Sequence, residues 1–159
     1  MTKLKFCRFM DYKDGKIARM ETESGIPVNI FADDGSDFGI SEGTECSLKV
    51  WGMCSDIEIY KSEDEFYDSV DTFAAEALIP CGTFSIDPDD KNFQQSPDVI
   101  VTGKVLEIEE NKEALPDEPN WFFKVETIDM ILNLFAIYEG TIEIGNTICG
   151  TAWLYADIV

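Results

Sequence analysis

The sequence predicts a mostly β protein made of two related small antiparallel β-barrels, which one amphipathic helix connects. Three observations support this fold class. A degraded copy of residues 124–136 occurs at residues 19–32, apolar and polar residues alternate along short runs, and one stretch between the copies has helical periodicity. Turn residues separate the short runs about every eight to twelve residues, which is typical of a small β-sandwich or β-barrel.

The two copies match with one single-residue gap. Residues 19–22 (Arg-Met-Glu-Thr) match residues 124–127 (Lys-Val-Glu-Thr), and residues 28–32 (Val-Asn-Ile-Phe-Ala) match residues 132–136 (Leu-Asn-Leu-Phe-Ala). A duplication explains this match best. The expected segments are a first β-barrel repeat over residues 1–61, a helix and connecting loop over residues 62–98, and a second β-barrel repeat over residues 99–159.

The connecting helix is predicted over residues 63–78. Ser62 is the expected N-cap, Glu65 completes a capping box, and Pro80 ends the helix. Apolar side chains recur at three- and four-residue spacing and form one stripe, which requires a sheet to cover it. The residues of this stripe are Phe66, Val70, Phe73, Ala74 and Ala77.

The strands of the first repeat follow from alternation and from turn residues. Asp14 and Gly15 are a strong hairpin signal, so we expect a strand on each side of them. Gly25 and Gly43 mark the later turns. The predicted strands are residues 3–11, 16–22, 27–32, 46–51 and 57–60.

The second repeat has the same order of elements and one longer loop. Gly103 lies inside its first strand and indicates a bulge or a sharp bend. An acidic loop over residues 109–120 replaces the tight turn of the first repeat, and alternation then predicts that Trp121, Phe123 and Val125 are buried. The predicted strands are residues 99–108, 121–128, 130–137 and 148–153.

Each repeat therefore consists of a bent first strand, a meander of two more, a short crossover and a long strand that carries Trp51 or Trp153. This order resembles the oligonucleotide/oligosaccharide-binding fold, or OB-fold. The resemblance implies binding of single-stranded nucleic acid or sugars on the face of the second and third strands, through aromatic stacking in a basic groove. Neither repeat has the helix that usually plugs such a barrel, so an SH3-like barrel or a single fused sheet stays open.

The charge balance excludes the basic groove. Twelve Lys and Arg residues stand against thirty-two Asp and Glu residues, which gives a formal net charge of −20. Such a chain repels phosphate backbones and anionic membranes and favours a basic protein partner. The densest basic group is small, and Asp11 and Asp14 interrupt it: Lys3, Lys5, Arg8, Lys13 and Lys16. We expect no nucleic-acid partner and no membrane partner.

Location and cysteine chemistry are predicted from the same sequence. The first eight residues lack the uninterrupted apolar core of a signal peptide, and no apolar run reaches spanning length, so a cytoplasmic location is expected. The five cysteines are odd in number and contain no Cys-x-x-Cys pair, so we expect neither a disulfide framework nor a zinc site.

Catalysis is not predicted. The chain has no histidine, which removes the commonest general base, the histidine-dependent triads and most catalytic zinc sites. The acidic clusters at residues 33–37 and 87–90 do not fit the twelve-residue calcium loop. Cys7 has the most cationic sequence surroundings, but its position within a strand favours a buried, inert thiol. We therefore expect no enzyme activity, no cofactor and no metal.

One matched set of residues forms the candidate binding surface. In each repeat an Asn and a Phe alternate with the core face of the third strand, and a Trp lies on the strand that returns alongside. An exposed aromatic patch with amide donors suits a carbohydrate or a peptide, whereas internal packing between barrels, or against the helix, is the alternative. The six residues are Asn29, Phe31, Trp51, Asn133, Phe135 and Trp153.

Together these observations predict a non-catalytic acidic binding protein, a protein-interaction module for a basic partner. It could act as an inhibitor or immunity-like protein that covers the cationic groove of another protein. The alternative is a small-ligand or oligosaccharide binder that uses the Asn/Phe/Trp face. A third class, an assembly subunit that forms a homo-oligomer through that face, stays open.

Overall fold

The computed structural model describes residues 2–12, 15–33, 42–62, 77–83 and 94–158, and these residues form nine β-strands. The strands are β1 (Thr2–Tyr12), β2 (Gly15–Glu21), β3 (Pro27–Asp33), β4 (Glu45–Tyr60), β5 (Ala77–Ile79), β6 (Asp98–Glu110), β7 (Trp121–Thr127), β8 (Met130–Ala136) and β9 (Thr147–Ile158). All nine belong to one sheet in the order β1-β2-β3-β9-β4-β8-β7-β6-β5, with additional pairings β1–β4 and β9–β6.

The prediction of a mostly β protein is confirmed, and the described strands form a single nine-stranded sheet. Most of the predicted helix, residues 63–76, lies outside the described residues. Its last two residues, Ala77 and Leu78, belong to β5 and pair antiparallel with residues 101–102 of β6, so the helix prediction is wrong at this end. The described ranges contain no helix, and hence none long and apolar enough to cross a membrane.

A β-bulge corrects the prediction of two separate strands at residues 46–51 and 57–60. These residues form one strand, β4, whose register with β9 shifts between Ser55 and Glu58. Asp56 has a positive φ of 52° at this point. A bulge bends a strand without ending it, so the residues between the two predicted strands lie inside one continuous strand.

The pattern in which strands β1 to β4 pair recurs in strands β6 to β9. The register of β1 with β2 shifts between Phe6 and Arg8, and that of β6 with β7 shifts between Val105 and Glu107. The amide N–H of Gly43 donates to the Phe6 carbonyl at 2.8 Å, and in the same way the N–H of Gly145 donates to the Val105 carbonyl at 2.8 Å. The bend expected at Gly103 therefore lies slightly later in the strand, at the bulge between Val105 and Glu107.

The two long strands β4 and β9 join the halves of the chain. They pair antiparallel with each other over residues 48–60 of β4. In addition β3 lies parallel to β9 through Phe31 and Tyr155, and β8 lies parallel to β4 over residues 50–53 of β4. The pairings therefore close two circuits that share β4 and β9: a first circuit β1-β2-β3-β9-β4 and a second circuit β6-β7-β8-β4-β9.

One apolar core fills the side of the strands that faces into the circuits. Alternation predicts its residues well, since Trp121, Phe123 and Val125 are all buried. Gly52 lies in the middle of β4, where an added Cβ would be 2.8 Å from Leu134 Cδ2 and 3.1 Å from Leu154 Cδ2. The absence of a side chain at Gly52 allows these two leucines to pack together against the shared strands.

A polar contact joins a turn of the first half to a turn of the second half. The Asp129 carboxylate accepts hydrogen bonds from the Thr22 hydroxyl at 2.9 Å and from the Ser24 hydroxyl at 3.0 Å. The Ser24 hydrogen bonds lower the pKa of Asp129, slight burial opposes the shift, and the Thr22 bond reinforces it. Asp129 has a φ of 60°, a conformation that Asp tolerates better than most residues.

Candidate functional site

The outer face of the sheet carries a chain of aromatic side chains that crosses from one half of the protein to the other. We call it the aromatic row: Phe31 (β3), Trp153 and Tyr155 (β9), Phe135 (β8) and Phe122 (β7). Consecutive ring centroids in this order are separated by 4.8, 6.4, 6.1 and 6.2 Å. Trp51 of β4 stacks on Tyr155 with a centroid distance of 6.5 Å and an interplanar angle of 11°.

The structure thus brings together the four aromatic residues of the predicted surface: Phe31, Trp51, Phe135 and Trp153. Each of them is half-buried. They meet because β9 and β4 lie side by side at the centre of the sheet, with β3 and β8 on either side. The predicted surface is therefore one site in space, although its binding role stays a prediction.

Sequence reasoning missed two members of the row. Tyr155 follows Trp153 by two residues on the same strand, and Phe122 pairs with Phe135 across β7 and β8. The period of two along a strand was the available signal in both cases, because it places these rings on the same face as the predicted ones.

The two predicted asparagines have different surroundings. Asn29 lies on the outer face of β3 but is only 1% exposed. Its amide nitrogen donates to the Gly82 carbonyl at 3.2 Å and to the Ser96 carbonyl at 3.0 Å. Asn29 is therefore covered by a segment of its own chain, to which it donates hydrogen bonds.

Asn133 is half-buried on the outer face of β8. Its amide nitrogen donates to the Val50 carbonyl of the neighbouring strand β4 at 3.1 Å. Both asparagines therefore donate to main-chain carbonyls, which is a structural reason for an Asn in each half of the chain.

A cleft of about 240 Å³ opens beside the aromatic row on the outer face of the second circuit. Its walls include apolar, amide and charged groups on four strands. Two of the lining residues form an ion pair: the Lys124 ammonium lies 3.2 Å from a Glu107 carboxylate oxygen, and this is the only ion pair within the described ranges. The cleft is lined by Trp51, Glu107, Ile108, Glu109, Phe122, Phe123, Lys124, Asn133 and Leu134.

One ring of the outer face already contacts a cation from the protein itself. The Lys49 ammonium lies 4.5 Å from the centroid of the Trp51 ring. This distance falls within the range of a cation–π contact, so the ring accepts an ammonium group. The Lys16 ammonium lies 5.5 Å from the centroid of the Phe9 ring, which pairs with the buried Ala18 and packs against the core.

Burial raises the pKa of the thiol at Cys7, Cys46, Cys54 and Cys81, which disfavours the reactive thiolate. Burial raises the pKa of the Cys7 thiol, and the nearby Glu21 carboxylate raises it further, against the opposing effects of Lys5 and two arginines. Burial raises the pKa of Cys54 to about 12. In the part of the chain that the structure describes, no group of three or more His, Cys, Asp or Glu side chains is placed to hold a metal ion.

Comparison with family models, with curated protein sequences and with solved structures finds no significant match to this chain.

Proposed function

We propose that this chain is a non-catalytic binding protein that recognises a basic protein partner. The observation that carries the proposal is the aromatic row, which runs across both halves of the sheet at partial exposure in a chain of net charge −20. Partly exposed aromatic patches are typical of interaction surfaces, and Tyr, Trp and Phe are enriched where partners bind.

Aromatic rings within an acidic field suit lysine and arginine side chains. A cation over a ring contributes roughly 0.5–2 kcal/mol, depending on how far it is removed from water. Long-range attraction from the net negative charge accelerates the encounter with a basic protein and sets its dependence on salt. A protein with these properties could act as an inhibitor or immunity-like protein that covers a cationic groove.

We also propose that the two circuits are OB-like units that arose by duplication. Five strands take part in each circuit, the number found in an OB-fold. The shared bulge positions and the equivalent glycine contacts support a common origin of the two halves. In this proposal β4 and β9 each contribute to both units, which explains why neither half forms a separate sheet.

The experiment is affinity capture from a lysate of the source cells in the native state, followed by kinetics with the purified partner. We expect a basic partner whose association rate falls steeply between about 20 and 500 mM salt, because screening shortens the reach of surface charge. We expect Phe135→Ala to weaken binding more than the control Ile137→Ala, which removes an exposed side chain from the adjoining loop. Capture that does not depend on salt or on Phe135 would count against the proposal.

The cleft supports a second candidate function, oligosaccharide binding. Trp51 and Phe122 provide apolar walls, and Asn133, Lys124 and Glu109 provide polar groups at the same site. Stacking rings with a few polar groups are typical of small-ligand sites. Quenching of tryptophan emission by a neutral oligosaccharide, independent of salt, would favour this candidate over the basic partner.

A further inference from the structure

The outer faces of the two circuits correspond residue by residue, but one is covered and the other is open. Ile17 pairs with Phe31 in the first circuit, and Phe122 pairs with Phe135 at the corresponding position of the second. Ile17 is 0% exposed, whereas Phe122 is 39% exposed. The difference in burial means that the second face lacks a cover that the first face has.

On the first face, Asn29 and Arg19 are contacted by the protein's own chain at residues 82–83 and 95–96. Asn29 donates to the carbonyls of Gly82 and Ser96, as described above. Arg19 donates to the Gln95 side-chain oxygen at 2.7 Å, and the Gln95 amide donates to the Thr83 carbonyl at 2.9 Å. The first face therefore binds short stretches of polypeptide through main-chain carbonyls and one long polar side chain.

The second face has the matching positions with a different charge pattern. Arg8 pairs with Arg19 in the first circuit, whereas Glu107 pairs with Lys124 in the second. Met10 of the first circuit corresponds to Glu109 of the second, because these residues pair with Ile17 and Phe122. At these three positions the first face has two arginines and a methionine, whereas the second face has two carboxylates and one lysine.

The local chemistry of the second face suits a cationic side chain. Glu107 is neutralised by Lys124, which leaves Glu109 with no ion-pair partner within the described ranges. Glu109 and Phe122 lie opposite each other on paired strands, and Trp51 lines the same cleft. A guanidinium or ammonium in this cleft would meet the Glu109 carboxylate and the Phe122 ring.

We propose that the outer face of the second circuit binds an extended, arginine- or lysine-containing segment of the partner, at positions that correspond to those which residues 82–83 and 95–96 contact on the first face. The proposal rests on the proposed function, and it adds where and how the partner binds. We specify a basic peptide segment because the second face carries more negative charge than the first, with Glu107 and Glu109 at the positions of Arg8 and Met10.

The test uses a blocked peptide of alternating glycine and arginine, titrated by calorimetry at low salt. The control peptide replaces arginine by citrulline, which keeps the shape and removes the charge. Two variants change the cleft, Glu109→Gln and Phe122→Ala. Their controls lie at exposed positions outside the cleft: Glu139→Gln removes a carboxylate in the same way, and Ile144→Ala removes an exposed apolar side chain.

We expect the arginine peptide to bind and the citrulline peptide to bind at least about tenfold more weakly. Glu109→Gln and Phe122→Ala should each weaken binding by about threefold to tenfold, while their controls stay within about twofold. Circular dichroism confirms that every variant is folded before it is titrated.

Equal effects of the cleft variants and their controls would overturn this inference but leave the proposed function standing, since the net charge alone would then attract the peptide. Absence of peptide binding, with a basic partner still captured from lysate, would also overturn the inference and leave the proposed function standing. Absence of both, or binding of neutral cellohexaose with loss in Phe122→Ala, would overturn the inference and the proposed function together.

Discussion

Gly52 and Leu154 lie opposite each other across the β4–β9 pair, at the centre of the correspondence between the two halves. On one side of them Trp51 pairs with Tyr155, and on the other side Met53 pairs with Trp153. Trp51 directly precedes Gly52 on β4, and Trp153 directly precedes Leu154 on β9. The two matched tryptophans therefore lie at equivalent positions on either side of this pair. The small residue at this position allows the two shared strands and β8 to pack closely.

We expect Gly52→Ala to destabilise the protein by about 1–3 kcal/mol, the usual cost of overpacking a core. The reason is that the new methyl group would lie 2.8 Å from Leu134 Cδ2 and 3.1 Å from Leu154 Cδ2. Urea unfolding measures the free energy. The double variant Gly52→Ala/Leu134→Ala should lose less than the sum of the two single variants, and strict additivity would refute the steric explanation.

Asn29→Ala should destabilise the protein more than Asn133→Ala. Asn29 is buried and donates to two main-chain carbonyls of the covering segment, of which the Gly82 carbonyl also accepts from the Ser96 N–H. Removal of Asn29 therefore leaves the Ser96 carbonyl without its side-chain donor, at a cost of about 1–3 kcal/mol. Asn133 is half-buried and has one such contact. Hydrogen exchange should accelerate at the amides of Gly82 and Ser96 in Asn29→Ala and not in Asn133→Ala.

The contact of Asp129 with Thr22 and Ser24 should make stability depend on pH. Because the folded-state pKa of Asp129 lies below its ordinary value of 3.8, the contact stabilises the fold above that value. The stabilisation is lost as the pH falls through the lower, folded-state pKa. We expect the difference in thermal midpoint between wild type and Asp129→Asn to shrink below about pH 4.

Asp117→Asn is the control for this experiment, since it removes the same charge from an exposed loop. Asn also tolerates the positive φ at position 129, so the backbone is not the cause of any difference. A difference between wild type and Asp129→Asn that stays constant from neutral pH to about pH 3 would mean that the carboxylate contact does not contribute.

Cys54 should resist alkylation in the folded protein. Its pKa is raised to about 12 by burial, followed by the effects of Cys149 and Asp56, so almost no thiolate is present at neutral pH. Iodoacetamide followed by peptide mass spectrometry should label the half-buried Cys7 before Cys54. Rapid labelling of Cys54 without denaturant would show that this part of β4 opens readily.

The repeat and the alternation of side chains predicted the parts of the fold that depend on local sequence. The pairing of β2 with β3 and of β7 with β8 aligns Asn29 with Arg19 and Asn133 with Lys124, as the sequence match of the two copies implies. The burial of Trp121 followed from a period of two. These features are predictable because a strand with one buried face repeats every second residue.

The pairing between the halves was not predictable in the same way. Each long strand pairs with strands from both halves, so the partner of Trp51 is Tyr155, about a hundred residues away. No turn or short loop specifies such a pairing, and a duplication is equally compatible with two separate barrels.

The candidate site was predicted only in part, because alternation within a strand shows which face a residue lies on but not what covers that face. Alternation placed Phe31 and Phe135 on the outer face correctly, but it could not show that residues 82–83 and 95–96 cover Asn29. The same segment has no clear periodicity in the sequence. Coverage of a face by a loop depends on tertiary contacts, which a pattern within one strand does not contain.

The most direct test of the central claim is to map the binding site by NMR, using the arginine peptide with isotope-labelled protein. We predict that the largest shifts occur at the amides of Phe122, Lys124 and Asn133 and at the Trp51 indole, which lie around the open cleft. Shifts that concentrate on the amides of Gly82 and Ser96, or that spread evenly over the acidic surface, would contradict it.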